Sequence, residues 1–218
     1  MYTLYGYWRS SAVFRVRCAL ELKGLPYRVE PVHLIDGGGE HLRADYRDKN
    51  PLAEVPTLLF TRDGREVALG QSVAILEYLE EMHPEVALLP SHPVARARVR
   101  QIVEGVNSGI HPLQNLKVMR HLGATFGTDQ AANEAWARHW IARGFEGLEV
   151  LVARTAGHHA FGDAPTLADC ALVPQIYNAR RYRLDMARFP HLSAVWEAAM
   201  ALAPFQRAAP EAQPDAPS

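Results

Sequence analysis

Thr3-Leu4-Tyr5-Gly6-Tyr7, then Trp8-Arg9-Ser10-Ser11, then Val13, Val16 and Leu20: this opening stretch decides the fold. The first five residues are short and rich in β-formers, which predicts a strand. Two serines follow, and the apolar residues after them recur at i, i+3 and i+7, the spacing of one helix face. Gly24 ends that helix and Pro26 prevents its continuation. Tyr27 to Val32 then predicts a second strand. Strand, helix, strand in this order favours a parallel βαβ unit.

Working outward, Ile35 to Asn50 contains Gly37-Gly38-Gly39 and reads as a loop with one short helix near Glu40–Arg47. Thr57–Phe60 and Glu66–Leu69 read as strands joined across Asp63-Gly64, a hairpin signal. Ile75, Leu76, Leu79 and Met82 mark a helix starting near Ser72. Residues 1–83 are therefore expected to form an α/β domain. Residues 84–91, with two prolines and little periodicity, form the expected linker. Residues 92–218 are expected to be all-helical. There Val99, Ile102, Val103, Val106, Ile110 and Leu113 follow one face for about four turns. A second helix carries Trp136 to Val152, a third opens at Thr166-Leu167-Ala168-Asp169, and a fourth spans Leu192 to Leu202. The polar, proline-rich tail after Pro210 is expected to be extended.

Composition excludes several functions. Lys plus Arg is 23 and Asp plus Glu is 24, a balance that suggests neither a nucleic-acid nor a membrane-surface partner. No apolar run approaches the roughly 18 residues of a membrane span, and the opening residues predict no secretory signal. Cys18 and Cys170 fall in segments read as helical core, which suits a reducing, cytoplasmic setting. His158-His159 has no ligand partners at metal spacing, so no metal is expected.

Five places could carry chemistry, and each also has a structural explanation. Ser10 and Ser11 stand at a helix N-terminus, where unpaired N–H groups and the macrodipole favour an anion or a thiolate; either serine also serves as a plain N-cap. In Val55-Pro56-Thr57, a proline entering a strand marks an edge, a strand start or a cis turn. A cis turn would offer the Val55 backbone to an extended peptide. Gln71-Ser72 opens another helix and could hold a carboxylate or simply cap. His111 and Asn115 are i, i+4 in an expected helix bent at Pro112, which makes them a pocket wall or a solvated face. Arg180 and Arg181 end a helix, where basic residues ordinarily complement the dipole. Thr166-Leu167-Ala168-Asp169 is a capping-box pattern and is assigned to folding.

Taken together, these strings resemble the glutathione transferase superfamily. Arg9-Ser10-Ser11 and Ile110-His111-Pro112-Leu113-Gln114-Asn115-Leu116 resemble its zeta class in particular, with Arg15-Val16-Arg17, Asn50-Pro51, Val55-Pro56-Thr57-Leu58, Gln71-Ser72 and Leu172-Val173-Pro174-Gln175 in support. The likeness runs from Leu4-Tyr5 to the tail Gln213-Pro214-Asp215. It implies a thioredoxin-like N-terminal domain, a helical C-terminal domain and a homodimer. It implies glutathione as cofactor, with Ser10 at its sulfur and Val55 pairing with the cysteinyl unit after a cis Pro56. Gln71 and Ser72 would hold the γ-glutamyl end, and His111 and Asn115 would also face the tripeptide. His41 would lie near the glycine end. Arg9 and Arg181 would bind the carboxylates of a small dicarboxylate substrate, with Arg180 an open alternative to Arg181.

The implied activity is glutathione-dependent cis–trans isomerisation of maleylacetoacetate or maleylpyruvate to the fumaryl isomer, in aromatic-compound breakdown. A broader glutathione transferase acting on electrophiles or α-haloacids, and a non-catalytic glutathione-binding module, are the rival readings. One departure stands out: many members of the class carry Ser-Ser-Cys at this turn, and this chain has Ala12 at the third position. No protein thiol is then available at the helix start, although glutathione itself would supply sulfur.

Overall fold

A computed structural model describes residues 1–217. It divides into two units: residues 1–88 joined by the chain from Met200 onward, and Leu89–Ala199.

The first unit is built on a four-stranded sheet. Its elements are β1 (Tyr2–Gly6), α1 (Ser11–Leu22), β2 (Tyr27–Pro31), the short α2 (Ala44–Arg47), β3 (Thr57–Arg62), β4 (Arg65–Gly70) and α3 (Ser72–Met82). Strand order is β2-β1-β3-β4. β1 runs parallel to β2 and antiparallel to β3, and β3 runs antiparallel to β4. The βαβ start and the later hairpin are thus present as the sequence implied. The hairpin turn takes Asp63 and Gly64 at φ 51° and 73°, the double left-handed geometry that Asp-Gly accommodates.

The crossover is tight for a stated reason. A Cβ on Gly6 would sit 2.5 Å from Val13 Cγ1, so only glycine lets α1 pack this closely over the end of β1. Ser11 through Leu20 are all buried. Leu4, Val13, Phe14, Val16, Leu20, Leu58, Ile75, Leu76 and Leu79 are fully enclosed and form this unit's core. At the base of α1, Lys23 Nζ contacts Glu80 at 2.8 Å and donates to the carbonyls of His83 and Val86. A buried ammonium with three acceptors fixes how the chain leaves α3.

The second unit contains α4 (Pro93–Asn107), a 3-10 turn at His111–Gln114, α5 (Leu116–Phe126), α6 (Gln130–Ala153), α7 (Leu167–Arg181) and α8 (Pro190–Met200). α4 turns Val99, Ile102, Val103 and Val106 inward and packs on α7 and α6. The capping box at the start of α7 is complete: Asp169 accepts from the Thr166 N–H at 2.8 Å, and Thr166 Oγ1 accepts from the Ala168 N–H at 3.2 Å.

Two expectations about this part of the chain are corrected, and two helices are added. The apolar face of α4 does not continue to Leu113: the helix stops at Asn107, and Ile110 enters a separate 3-10 turn. Leu116–Phe126 is a helix of its own, which the sequence reading did not delimit. The tail is not extended. After Pro210 it forms a 3-10 turn at Pro210–Ala212 and buries Gln213, and just before it α9 (Ala203–Ala208), a helix that the sequence did not delimit, packs against α1 within the first unit and buries Phe205 and Ala208.

Candidate functional site

Sheet register brings the first unit's candidate residues to one end. Tyr5 of β1 is paired with Thr57 of β3, and Thr57 with Gly70 of β4. The turn Trp8-Arg9-Ser10 leaves β1, Val55-Pro56 enters β3, and Gln71-Ser72 leaves β4, so all three lie past the same sheet end. Two strand spacings of about 4.8 Å separate the first from the last. That is roughly 10 Å, the reach of an extended tripeptide. Gly6 is paired with Pro31, so the loop after β2, which carries His41 in the 3-10 turn Glu40–Leu42, starts from this end as well.

Ser10 is the N-cap of α1. Its φ and ψ are −69° and 120°, and its hydroxyl accepts from the Val13 N–H at 3.3 Å. The capping role is therefore real, and it does not exclude the chemical one. A hydroxyl has one proton to donate besides its acceptor lone pairs. Accepting from Val13 leaves the Ser10 O–H available to an anion placed at the helix N-terminus. Ser11 begins α1 and is buried, and the Arg9 guanidinium lies 5.3 Å over the Trp8 ring. Ala12 is buried, and both cysteines are enclosed in α1 and α7, so no protein thiol opens at this end.

The Val55-Pro56 peptide is cis. Among the described residues, the Val55 backbone N–H and C=O have no hydrogen-bond partner. Polar groups pin the preceding loop: Asn50 Nδ2 and Tyr46 Oη donate to the Glu54 carbonyl, each at 2.8 Å, and both contact Thr57 Oγ1. Burial raises the Tyr46 phenol's pKa, so it stays a donor. A rigid, partnerless backbone pair at the start of β3 is what strand addition by a short peptide requires.

Gln71 sits at φ 67°, ψ 114°, a left-handed conformation unusual for a side chain larger than glycine's, and its amide reaches Glu54 Oε2 at 3.0 Å. Strain of this kind concentrates where a ligand is held. Ser72 opens α3, and its hydroxyl accepts from Arg15 Nη1 at 3.1 Å. Arg15 is 1% exposed, so a guanidinium charge stands beneath the second helix N-terminus and reinforces its preference for a carboxylate. Sequence reasoning quoted Arg15 only as part of a motif. The available signal was two arginines, Arg15 and Arg17, inside a helix otherwise lined with apolar residues.

The second unit carries the remaining candidates. His111 and Asn115 are not on one helical face as the i, i+4 spacing implied. His111 begins the 3-10 turn, whereas Asn115, with φ −67° and ψ 146°, is the N-cap of α5 and accepts from the Lys117 N–H at 3.0 Å. Pro112 is the second residue of this turn rather than a bend in a long helix. Between them Gln114 points inward and begins a buried relay. Gln114 Nε2 donates to Gln175 at 2.7 Å, Asn178 Nδ2 donates to Gln114 at 2.7 Å, and Arg181 Nε donates to Asn178 Oδ1 at 3.0 Å. The two neighbouring arginines are not equivalent. Arg180 pairs with Glu197 at 3.1 Å and lies over Trp196. Arg181 lies over Tyr182 at 4.2 Å and has no carboxylate partner among the described residues.

Several known proteins are similar to this chain over nearly its whole length. Residues 9–82 match the glutathione S-transferase N-terminal domain model, and residues 134–198 match the corresponding C-terminal domain model. The chain is 44% identical to a probable maleylacetoacetate isomerase of Vibrio cholerae, covering 98% of this chain and 97% of the relative. It is 46% identical to a maleylpyruvate isomerase of Ralstonia, covering 97% and 98%. A crystal structure of maleylacetoacetate isomerase from Anaeromyxobacter dehalogenans, with glutathione in its active site, matches with TM-score 0.90 and 51% identity over 100% of this chain and 98% of that one. Another structure of that enzyme holds dicarboxyethyl glutathione and citrate. A holo maleylpyruvate isomerase described as a bacterial zeta-class transferase matches with TM-score 0.92 and 45% identity, over 99% and 100%.

Proposed function

The chain belongs to the glutathione S-transferase family, in its zeta class, and from that premise we propose that it is a glutathione-dependent cis–trans isomerase of maleylacetoacetate or maleylpyruvate. The observation that carries the reading is the sheet end itself. A capping serine with a proton to donate, a partnerless strand backbone and a charged second helix N-terminus lie across roughly one tripeptide length. Those residues fit glutathione.

Glutathione supplies a thiolate, which adds reversibly to a cis double bond conjugated to a ketone, so that the bond can rotate before the sulfur leaves. The protein's residues do the rest. Ser10 donates to the sulfur, and the N-terminus of α1 favours its negative form. Ser11 stands beside it in the first turn. Val55 pairs through its backbone with the cysteinyl unit. Gln71 and Ser72, backed by Arg15, take the γ-glutamyl carboxylate, and His41 serves the glycine end. His111 and Asn115 are assigned to the same tripeptide. Arg9 and Arg181 take the substrate carboxylates, since guanidinium pairs bidentately with carboxylate and stabilises charge that builds up on addition. Arg181 is preferred to Arg180 because Arg180 already has Glu197.

A homodimer in the cytoplasm belongs to the same proposal. Among the described residues, no helix is long and apolar enough to cross a membrane. Sedimentation at micromolar concentration tests the pairing. The activity test is spectroscopic: purified protein, glutathione and each maleyl substrate are mixed, and the enol absorbance is followed. A glutathione-dependent loss is expected with at least one substrate. No change with either rejects the isomerase reading, and turnover of haloacids alone would favour a general transferase.

A further inference from the structure

The end of the chain returns to the turn that delivers Ser10. Asp215 Oδ2 accepts from the Trp8 N–H at 2.9 Å. On the same residue, Arg17 Nη2 donates to the Trp8 carbonyl at 2.9 Å, while Arg17 Nε donates to the Ala208 carbonyl at 2.8 Å. Gln213 Nε2 donates to the carbonyls of Arg207 and Ala209, both at 2.9 Å, which folds the tail so that Asp215 can reach back. Both backbone groups of Trp8 are thus held by charged side chains, one from α1 and one 207 residues away.

The turn has little else to define it. Between Gly6 and Ser11 there is no regular element, and its internal backbone bond is Ser10 N–H to the Tyr7 carbonyl at 3.0 Å. The two clamping side chains are also costly to keep. Arg17 is 0% exposed, and burial lowers its pKa to about 10, so it still carries a charge near neutral pH in an apolar helix. Among the described residues, Arg17 Nη1 and Asp215 Oδ1 are buried without hydrogen-bond partners. Apolar side chains of similar volume would stabilise such a site at least as well. Their gain lies in fixing one peptide.

We propose that Asp215 and Arg17 are positioning residues that clamp the Trp8 backbone and thereby set the placement of Arg9 and Ser10 for the reaction. This rests on the isomerase reading, because it assigns Ser10 to the glutathione sulfur. Displacement of a reacting group by about 1 Å costs on the order of 10²-fold in rate. A loosened turn therefore lowers turnover while the fold persists.

The test uses the full-length protein with Asp215→Ala and with Asp215→Asn, which keeps a carbonyl oxygen to accept from Trp8. Bound glutathione is titrated by its thiolate absorbance, and kcat, glutathione affinity and Tm are measured in parallel. For Asp215→Ala, kcat falls about tenfold or more and the thiolate titration moves up by roughly one pH unit, a tenfold change in the ionisation equilibrium. Asp215→Asn restores most of both. Should the alanine variant not fold, Asp215→Ser, too short to reach the Trp8 N–H, carries the same expectation. An unchanged thiolate titration and kcat, with only Tm lowered, overturns the clamp and leaves the isomerase reading standing. A wild-type protein that neither ionises glutathione near neutral pH nor isomerises a maleyl acid overturns both.

Discussion

Replacing Ser10 with alanine separates the two roles of one hydroxyl. As an N-cap it contributes a single bond to Val13 of 3.3 Å, at the long end of the range. A cap of this kind is worth about 0.5–1 kcal/mol, which in a chain of this size lowers Tm by only about 1–4 °C. As a donor to a thiolate it makes a charge-assisted bond, worth about 1.5–3 kcal/mol. That loss corresponds to roughly one to two pH units in the glutathione thiol's ionisation and to about 10–100-fold in kcat. The assay is the pH dependence of kcat, with the thiolate absorbance of bound glutathione and a thermal melt beside it. Turnover should fall far more than stability, and the titration should move to higher pH because the ionised form has lost its donor. A variant that unfolds, or one that keeps its rate and its titration, would refute the thiolate role and leave Ser10 a cap only.

Arg181→Ala should raise KM for the dicarboxylate by about tenfold or more, the worth of one charge-assisted contact, with glutathione affinity nearly unchanged. Arg180→Ala, which removes an exposed pair with Glu197, should change kcat/KM little; steady-state kinetics with each substrate varied in turn would expose a reversal of the two. Ser72→Ala removes the hydroxyl that opens α3 and accepts from the buried Arg15 guanidinium, so glutathione affinity should drop by about tenfold, read by calorimetric titration, and an unaltered Kd would remove the γ-glutamyl role. Asp169→Ala leaves the Thr166 and Ala160 N–H groups without their acceptor. It should cost about 2–4 kcal/mol of stability in denaturant unfolding, with kcat per folded molecule preserved.

What the sequence made legible was local. The βαβ start, the Asp63-Gly64 hairpin and the Thr166–Asp169 box each follow from backbone chemistry confined to a few residues, and each is present. Ser10 and Gln71-Ser72 could be placed at helix starts for the same reason. The helix face through Leu113 misled because apolar periodicity continues across a break. Ile110 stays fully buried while the backbone has already left α4, so the spacing of His111 and Asn115 described a helix that does not exist. The tail misled because prolines and polar residues say nothing about a buried Gln213 or a carboxylate that reaches Trp8. Arg15 and Arg17 were visible as charges in an apolar helix, but two of the acceptors they reach, Ser72 and Ala208, lie far along the chain. Pairings of that range follow from tertiary packing, which no local pattern encodes.

Where the sulfur of bound glutathione sits decides the account most directly. In a crystal structure of this protein with the tripeptide, the sulfur should lie within about 3.5 Å of Ser10 Oγ, over the first turn of α1, with the cysteinyl backbone paired to Val55. A fully occupied tripeptide whose sulfur is remote from Ser10 and Ser11 would contradict it.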